Sequence, residues 1–556
     1  MSDSGAARGA AASGGPVERL RTEVAQAAAE VRKSDGETPT PTLERPPRAE
    51  FGDYSTNVAL LLAPALKAPP REIAQAVGES LSAELGENLE RVEVAGPGFL
   101  NVFLADAWFR RALELIRAEG ERFGAGVVPE AERERILVEF VSANPTGPLT
   151  VAGGRHAAYG DALCRVLERA GHDLEREYYV NDFGSQVELF GRSIAARMRG
   201  EEVPEGGYEG EYVAALASRI ADEGFDPSDQ QGITRRGVEL MVDQVRETLE
   251  RFRVRFDRFV FEHELHERGR VQPALDALGA EHVYESDGAT WLRTSAFGDD
   301  KDRVLRRASG ELTYFAADIA YHEDKRTRRY DRLIDVWGAD HHGYVARMHA
   351  TFAAVGDTTP LEIVIMQLVN VVERGARAQM SKRKGEFVTL DELIDDIGVD
   401  AARFFLLQRS HDTTLDLDLD LARERSQENP VYYVQYAHAR IASILRNAGE
   451  ERLARARSAD ISAGRAPLEP AERTLVKRLL ELPDEVGETA ARRAPHRLTA
   501  YAHDLASDFH AFYRDCRVVG AEPVELEDLR LCLCEEARAV IASVLALLGV
   551  EAPESM

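Results

Sequence analysis

Three stretches predict an α/β protein whose centre is a parallel sheet. The first, residues 136–171, opens with Ile136, Leu137, Val138, Phe140 and Val141. That run is too apolar for a half-exposed strand and suits a parallel strand buried on both faces. A turn rich in Asn, Pro and Gly follows over 144–154, then a helix with an apolar stripe at Ala158, Leu163, Val166 and Leu167 that stops at Gly171. The second stretch, EREYYVNDFGSQVELFG, reads as another strand and helix and completes a βαβ half by about residue 190. The third brings the sheet back with LIDVWGADHHGY and EIVIMQLVNVV, placing strands at 333–337 and 363–372. Together they describe a Rossmann-type domain.

A strand, a glycine-rich turn and a helix bring free backbone N–H groups and the helix dipole to one place, where a phosphate can bind. Many α/β proteins use the same turn only to reverse direction, so geometry leaves both readings open.

The chain of 556 residues is long enough for two to four domains with their own cores. Charged residues make up 30% and no apolar run approaches a membrane span, so a soluble protein is expected. The opening MSDSGAARGAAASGGP lacks the basic region and apolar core of a signal peptide and reads as a disordered tail, residues 1–16. Cys164, Cys516, Cys532 and Cys534 are too few and too unevenly spaced for a disulfide framework or a zinc site. A reducing compartment follows, most simply the cytoplasm. The net charge of −27 argues against non-specific nucleic-acid binding but leaves room for a local basic strip at 325–329, 374–384 or 492–497. Each of those is more often an ordinary solvated face.

In chain order, residues 17–35 carry helical spacing and 36–50 form a Pro/Thr-rich connector. Residues 51–104 read as two helices around Pro69-Pro70, then a strand, a Gly-Pro-Gly turn and a strand, giving an α+β domain over 17–125. The Rossmann-type domain spans 126–425, with a mostly helical insertion over 191–300. Residues 385–421 are read as helical, with the Leu-Asp alternation at 415–421 as a connector, and 426–556 as an all-helical domain.

Several residues suit definite chemistry. A carboxylate with an aromatic face beside it can hold a planar cation by bidentate hydrogen bonds. Glu139 and Asn144 flank the end of the first strand, where a lone charge is expensive unless paired. Tyr314 and Asp318 stand four apart, hence on one helix face, although Asp318 could equally cap the helix or pair with an arginine. Gly338, Asp340, His341 and His342 fall at a strand's carboxyl end, where ligands bind in such sheets. Adjacent histidines seldom chelate one ion, and no third ligand follows at useful spacing. Gln379–Gly385 (QMSKRKG) suits a mobile basic loop that closes on phosphates, or a solvated basic turn.

VEFVSANPTGP, followed after four residues by GR and a GDAL helix, resembles the first signature of the arginyl-tRNA synthetases, a class I family. GDYSTNVALLLA and VEVAGPGFLNVFL resemble that family's N-terminal domain, and NPVYYVQYAHARI opens a region similar to its anticodon-binding domain. QMSKRKG resembles its KMSK loop, with Gln379 for the first lysine and Lys382 at the second. The sequence departs from the family at its His-Val-Gly-His motif, which reads Thr150-Val151-Ala152-Gly153 here.

The resemblance implies a class I catalytic domain between an N-terminal α+β domain and an all-α anticodon-binding domain, and an ATP-dependent arginine–tRNA ligase. ATP with Mg²⁺, arginine and tRNA(Arg) would be its partners. No structural metal and no membrane are implied, and the chain would be a monomer. Arginine would meet Glu139, Ser142, Asn144, Tyr314, Asp318 and His342. ATP would meet Pro148, Thr150, Gly153, Gly154, Gly338, Asp340, His341, Met380, Ser381 and Lys382, with Lys382 stabilising the leaving pyrophosphate. Without the two histidines, Thr150 keeps a hydroxyl and Gly153 a backbone N–H. His156, three residues on, returns to roughly the same face and could reach the phosphates, or be a partly buried residue with no ligand. Arg155 points elsewhere, toward a structural ion pair. The lost histidines also admit a second reading, a non-catalytic or altered-acceptor paralogue that binds tRNA or arginine.

Overall fold

A computed structural model describes residues 15–33, 41–46, 48–377 and 388–556. The expected tail at 1–16 falls almost wholly outside them, as do Gln379, Met380, Ser381 and Lys382. The N-terminal part comprises α1 (Pro16–Arg32), β1 (Tyr54–Thr56), α2 (Val58–Leu66), α3 (Pro70–Leu85), β2 (Leu89–Ala95), β3 (Phe99–Leu104) and α4 (Asp106–Glu119). Pro70 opens α3 at the one helical position where a missing N–H costs nothing. The expectation of helix from residue 51 fails at β1. Those three residues pair antiparallel with β3, Tyr54 opposite Val102, and are too short to show a period of their own.

The first half of the main sheet unit is β4 (Arg135–Glu139), α5 (Val151–Ala170), β5 (Asp173–Val180) and α6 (Ser185–Met198). Ile136, Leu137 and Val138 are fully buried, as their apolar run requires. Gly171 ends α5 at φ 117°, a left-handed conformation that glycine adopts without a Cβ penalty. Gly160 is needed for a different reason: a Cβ there would lie 2.2 Å from the Phe140 ring, so its absence lets α5 lie directly on the strand exit.

The stretch at 191–300 corrects the sequence reading. It holds α7 (Glu211–Asp222), α8 (Gln230–Arg251), α9 (Glu262–Glu267) and α10 (Val271–Asp276), but also three strands. Of these, β6 (Arg258–Phe261) is the edge strand of the main sheet, parallel to β5. The other two, β7 (Val283–Ser286) and β8 (Ala289–Leu292), form a separate antiparallel sheet with β9 (Arg303–Arg306). Strands of four residues carry too little periodicity to be read, and β6 is held by tertiary packing of Phe259 on Tyr178.

Then come α11 (Tyr314–Thr327), β10 (Arg332–Gly338), α12 (Val345–Ala354), β11 (Leu361–Met366), β12 (Val369–Glu373), β13 (Ala376–Arg377), α13 (Leu390–Leu407), β14 (Leu415–Asp418) and α14 (Leu419–Arg423). The main sheet is parallel throughout, in the order β11-β10-β4-β5-β6. The single strand expected at 363–372 is two strands in two sheets, and β12 pairs with β13 and β14 instead. Arg155 accounts for the break. Among the described residues its buried guanidinium makes no ion pair, contrary to expectation, and it donates to the carbonyls of Gln367 (2.8 Å), Ser410 (2.8 Å) and Thr413 (2.9 Å). The Leu-Asp alternation read as a connector is also a strand: Leu415 and Leu417 face inward while the aspartates face out, the period of β14.

From Pro430 the chain is helical, as expected: α15 (Pro430–Ala448), α16 (Glu450–Ser458), α17 (Pro470–Leu480), α18 (Leu482–Arg492), α19 (His496–Asp515) and α20 (Val524–Leu548). Arg403 of α13 ties this unit to α5. Fully buried, it pairs with Asp161 of α5 and donates to the Leu548 carbonyl (2.8 Å) at the end of α20 and to that of Phe252 (2.9 Å). All four cysteines are free and buried. No described helix is long and apolar enough to cross a membrane.

Candidate active site

A cavity of about 720 Å³ opens at the carboxyl edge of the main sheet. Its floor is where β4 lies between β5 and β10, the point at which successive connections run to opposite sides. The chain leaves β4 through Val141 (φ 70°) and Ser142 (φ 37°), both left-handed, and Ser142 N–H closes the turn onto the Phe140 carbonyl at 3.0 Å. A β-branched residue in that region is strained, which the surrounding bonds must offset. The Ser142 hydroxyl donates to Glu139 (2.7 Å) and accepts from Tyr179 N–H (3.1 Å), and Tyr178 grips both polar backbone atoms of Ala143.

Glu139 is paired, as a charge in an apolar strand must be. Buried Lys325 of α11 donates to it and to Asp335 (2.7 Å), and Asp335 in turn holds His322 Nε2 (2.8 Å). Burial pushes the Asp335 carboxyl up, and Lys325 and His322 more than reverse that, leaving it below the ordinary range. The negative charge of Glu139 is therefore already committed inside the protein.

Asp318 is different. One turn beyond Tyr314 on α11, it faces the cavity, and among the described residues its carboxylate has no hydrogen-bonding or ion-pair partner, so neither capping nor an arginine occupies it. Burial, with Glu139 nearby, pushes it up to about 6. Opposite stands Glu262, at the start of α9, raised to about 7 by burial and by the charges of Asp318 and Asp182. Tyr179, stacked on Tyr321 at 4.1 Å, closes this end, and Tyr314, 47% exposed, stands at its mouth with its hydroxyl 3.2 Å from Ser185 Oγ. Two carboxyls raised by burial, Glu262 with His266 Nε2 3.6 Å away, give this end the negative charge to receive a cation.

The other end is built by the first turn of α5 and the loop after β10. Thr150 caps α5, its hydroxyl accepting from Gly153 N–H at 3.4 Å, so the two groups expected to serve a ligand first serve each other. Val151 N–H is likewise engaged, by the Val388 carbonyl at 3.2 Å. His156 lines the cavity beside Gly338, half-buried, and burial lowers it to about 4. Asp340 and His341 are largely exposed, 3.6 Å apart.

The cavity thus gathers Glu139, Ser142, Asn144, Thr150, Gly153, His156, Tyr314, Asp318, Gly338, Asp340 and His341 from among the expected residues. Pro148, Gly154 and His342 do not line it. Pro148 is buried, Gly154 packs on Leu390, where a Cβ would come within 2.7 Å, and His342 is exposed. Glu262, Tyr179 and Gln186, which holds Asn144 at 2.9 Å, went unread in the sequence. Glu262 could have been found only by recognising β6, whose end places it.

A parallel sheet with its ligand cavity at this edge, an insertion after the first half and a helical unit behind it define a class I aminoacyl-tRNA synthetase catalytic domain. The family model described as "tRNA synthetases class I (R), catalytic domain" matches residues 123–205 and 210–441, between "Arginyl tRNA synthetase N terminal domain" at 18–104 and "DALR anticodon binding domain" at 434–556. The chain is 43% identical over 554 residues to an arginine–tRNA ligase of Geobacillus thermodenitrificans, covering 97% of this chain and 99% of that one. It is 47% identical over 530 residues to the Frankia alni arginine–tRNA ligase, covering 93% and 95%. The solved arginyl-tRNA synthetase of Thermus thermophilus superposes with a TM-score of 0.70 at 26% identity, over 97% of this chain and all of that one. The chain belongs to the arginyl-tRNA synthetase family.

Proposed function

We infer that the chain is an arginine–tRNA ligase, which activates arginine with ATP and transfers it to tRNA(Arg). The observation that carries this is the unpaired Asp318, one turn from Tyr314 and facing Glu262 in a cavity large enough for two substrates. A guanidinium fits there as ion-pair partner to Asp318 and Glu262, with the Tyr314 ring against its plane. Ser142 and Asn144 stand on the strained exit of β4, toward the α-amino and carboxylate end of the amino acid. The ATP lies across the first turn of α5 and the 338–341 loop. The arginine carboxylate attacks the α-phosphorus in line, pyrophosphate leaves, and the adenylate passes arginine to the terminal ribose of the tRNA.

No Lys or Arg is among the described residues lining the cavity. The positive charge for the pyrophosphate therefore falls to Lys382 of the KMSK-like loop and to the Mg²⁺ that enters with the substrate ATP. The N-terminal α+β part and the helical part from 426 would hold the tRNA, the monomer would be the working unit and the cytoplasm its location. A binding-only paralogue would have no use for Lys382. ATP–pyrophosphate exchange with arginine and cognate tRNA present, followed by charging of that tRNA, tests the assignment. Tight tRNA and arginine binding with no exchange would make the chain the binding-only paralogue.

A further inference from the structure

The turn that carries Asn144 is held from outside the sheet, by the helical insertion. Asn144 is exposed at the cavity wall, and its side chain reaches Gln186 in the first turn of α6 at 2.9 Å. Two residues on, buried Thr146 turns back, its N–H donating to the Asn144 carbonyl at 2.8 Å. The Thr146 carbonyl in turn accepts from the Tyr212 hydroxyl at 2.9 Å. Tyr212 belongs to the first turn of α7, 66 residues along the chain from Thr146, and does not line the cavity. Burial pushes its phenol up, so the hydroxyl keeps the proton that a carbonyl requires. The Tyr212 ring also fills the space beside Gly147, where a Cβ would lie 3.2 Å from the hydroxyl oxygen.

α7 is a firm support for that hydroxyl. Val213, Leu216, Ala217 and Ile220, at helical spacing, bury one of its faces in the same core as Phe190 and Ile194 of α6. The chain entering α7 is fixed by the Tyr208 N–H, which donates to Ser193 Oγ of α6 at 3.0 Å. α6 lies so close on α8 that a Cβ at Gly191 would fall 1.8 Å from the Thr234 hydroxyl. These packed helices grip Asn144 twice, through Gln186 on its side chain and through Tyr212 and Thr146 on its carbonyl. Given the arginine site proposed above, on which this step rests, we propose that Tyr212 is a positioning residue for arginine. It does not touch the substrate and acts by holding Asn144 in the orientation that receives the α-amino and carboxylate end.

The test is calorimetric binding of arginine with cognate tRNA present, and the ATP KM from exchange, for the full chain, Tyr212→Phe, Asn144→Ala and the double variant. Tyr212→Phe keeps the ring and removes one hydrogen bond, so arginine should bind about two- to tenfold more weakly, the worth of that bond. Asn144→Ala should weaken arginine as well, and Tyr212→Phe should then add nothing further, because its effect passes through Asn144. The ATP KM should stay constant in Tyr212→Phe. Full additivity in the double variant would overturn the proposal, as would a silent Asn144→Ala. An equal rise in the ATP KM would also overturn it, by making the bond a brace for the whole turn. So would a lowered thermal midpoint with arginine affinity unchanged, which would leave Tyr212 a structural contact only. Absence of arginine binding in the unmodified chain would overturn the arginine site itself, and this positioning role with it.

Discussion

Asp318→Asn keeps the volume of the side chain and removes its charge. Glu139 is held by Lys325 and Ser142, so it cannot swing to the substrate, and only Glu262 remains on the far wall. Charge-assisted hydrogen bonds are worth about 1.5–3 kcal/mol each, so losing one in this buried end should cost about 3 kcal/mol. That corresponds to a rise of roughly 150-fold in the arginine KM, with the ATP KM unchanged because the two ends share no side chain. The pH profile supplies an independent reading. Both carboxyls are raised, Asp318 to about 6 and Glu262 to about 7, and a guanidinium binds their ionised forms. Arginine kcat/KM should therefore climb from pH 6 to pH 8 and flatten above, with protons released on binding. In Asp318→Asn only Glu262 titrates, and without the Asp318 charge that helps raise it the single midpoint should fall below 7. Steady-state exchange with arginine varied at each pH measures both. An unchanged arginine KM, or a variant profile that still shows two ionisations, would remove Asp318 from the pocket.

Lys382→Ala should depress kcat and kcat/KM together by roughly 10²–10³, since its charge acts on the leaving pyrophosphate; a fall in tRNA affinity alone would make the loop a backbone contact. Lys325→Met leaves Glu139 and Asp335 buried without their ammonium and should cost about 3–5 kcal/mol, read as a lower thermal midpoint, with Lys325→Met/Glu139→Gln recovering part of it. Gly160→Ala forces a methyl to within 2.2 Å of the Phe140 ring and should cost about 1–3 kcal/mol, with a raised arginine KM because Phe140 leads directly into the Ser142 turn.

The sequence by itself determined the order of the parts and most of the central sheet. The apolar run of β4, the stop at Gly171 and the four-residue spacing of Tyr314 and Asp318 are local patterns, and each acts over a few residues. The motifs also placed the cavity, because a strand, its turn and the next helix meet at one sheet edge wherever they occur. What only the tertiary structure decided involves partners distant in the chain. β6 exists because β5 offers it hydrogen bonds, and four residues have no pattern strong enough to announce that; β14 shows its Leu-Asp alternation, but only pairing with β12 makes that a strand rather than a connector. Arg155 breaks the β11–β12 run by taking carbonyls more than two hundred residues away. Glu139 and Asp318 are both carboxylates beside the same pocket, and the sequence treats them alike. The fold gives one of them a buried lysine from α11 and leaves the other open, because charge in a low-dielectric interior is set by its neighbours rather than by its own residue type.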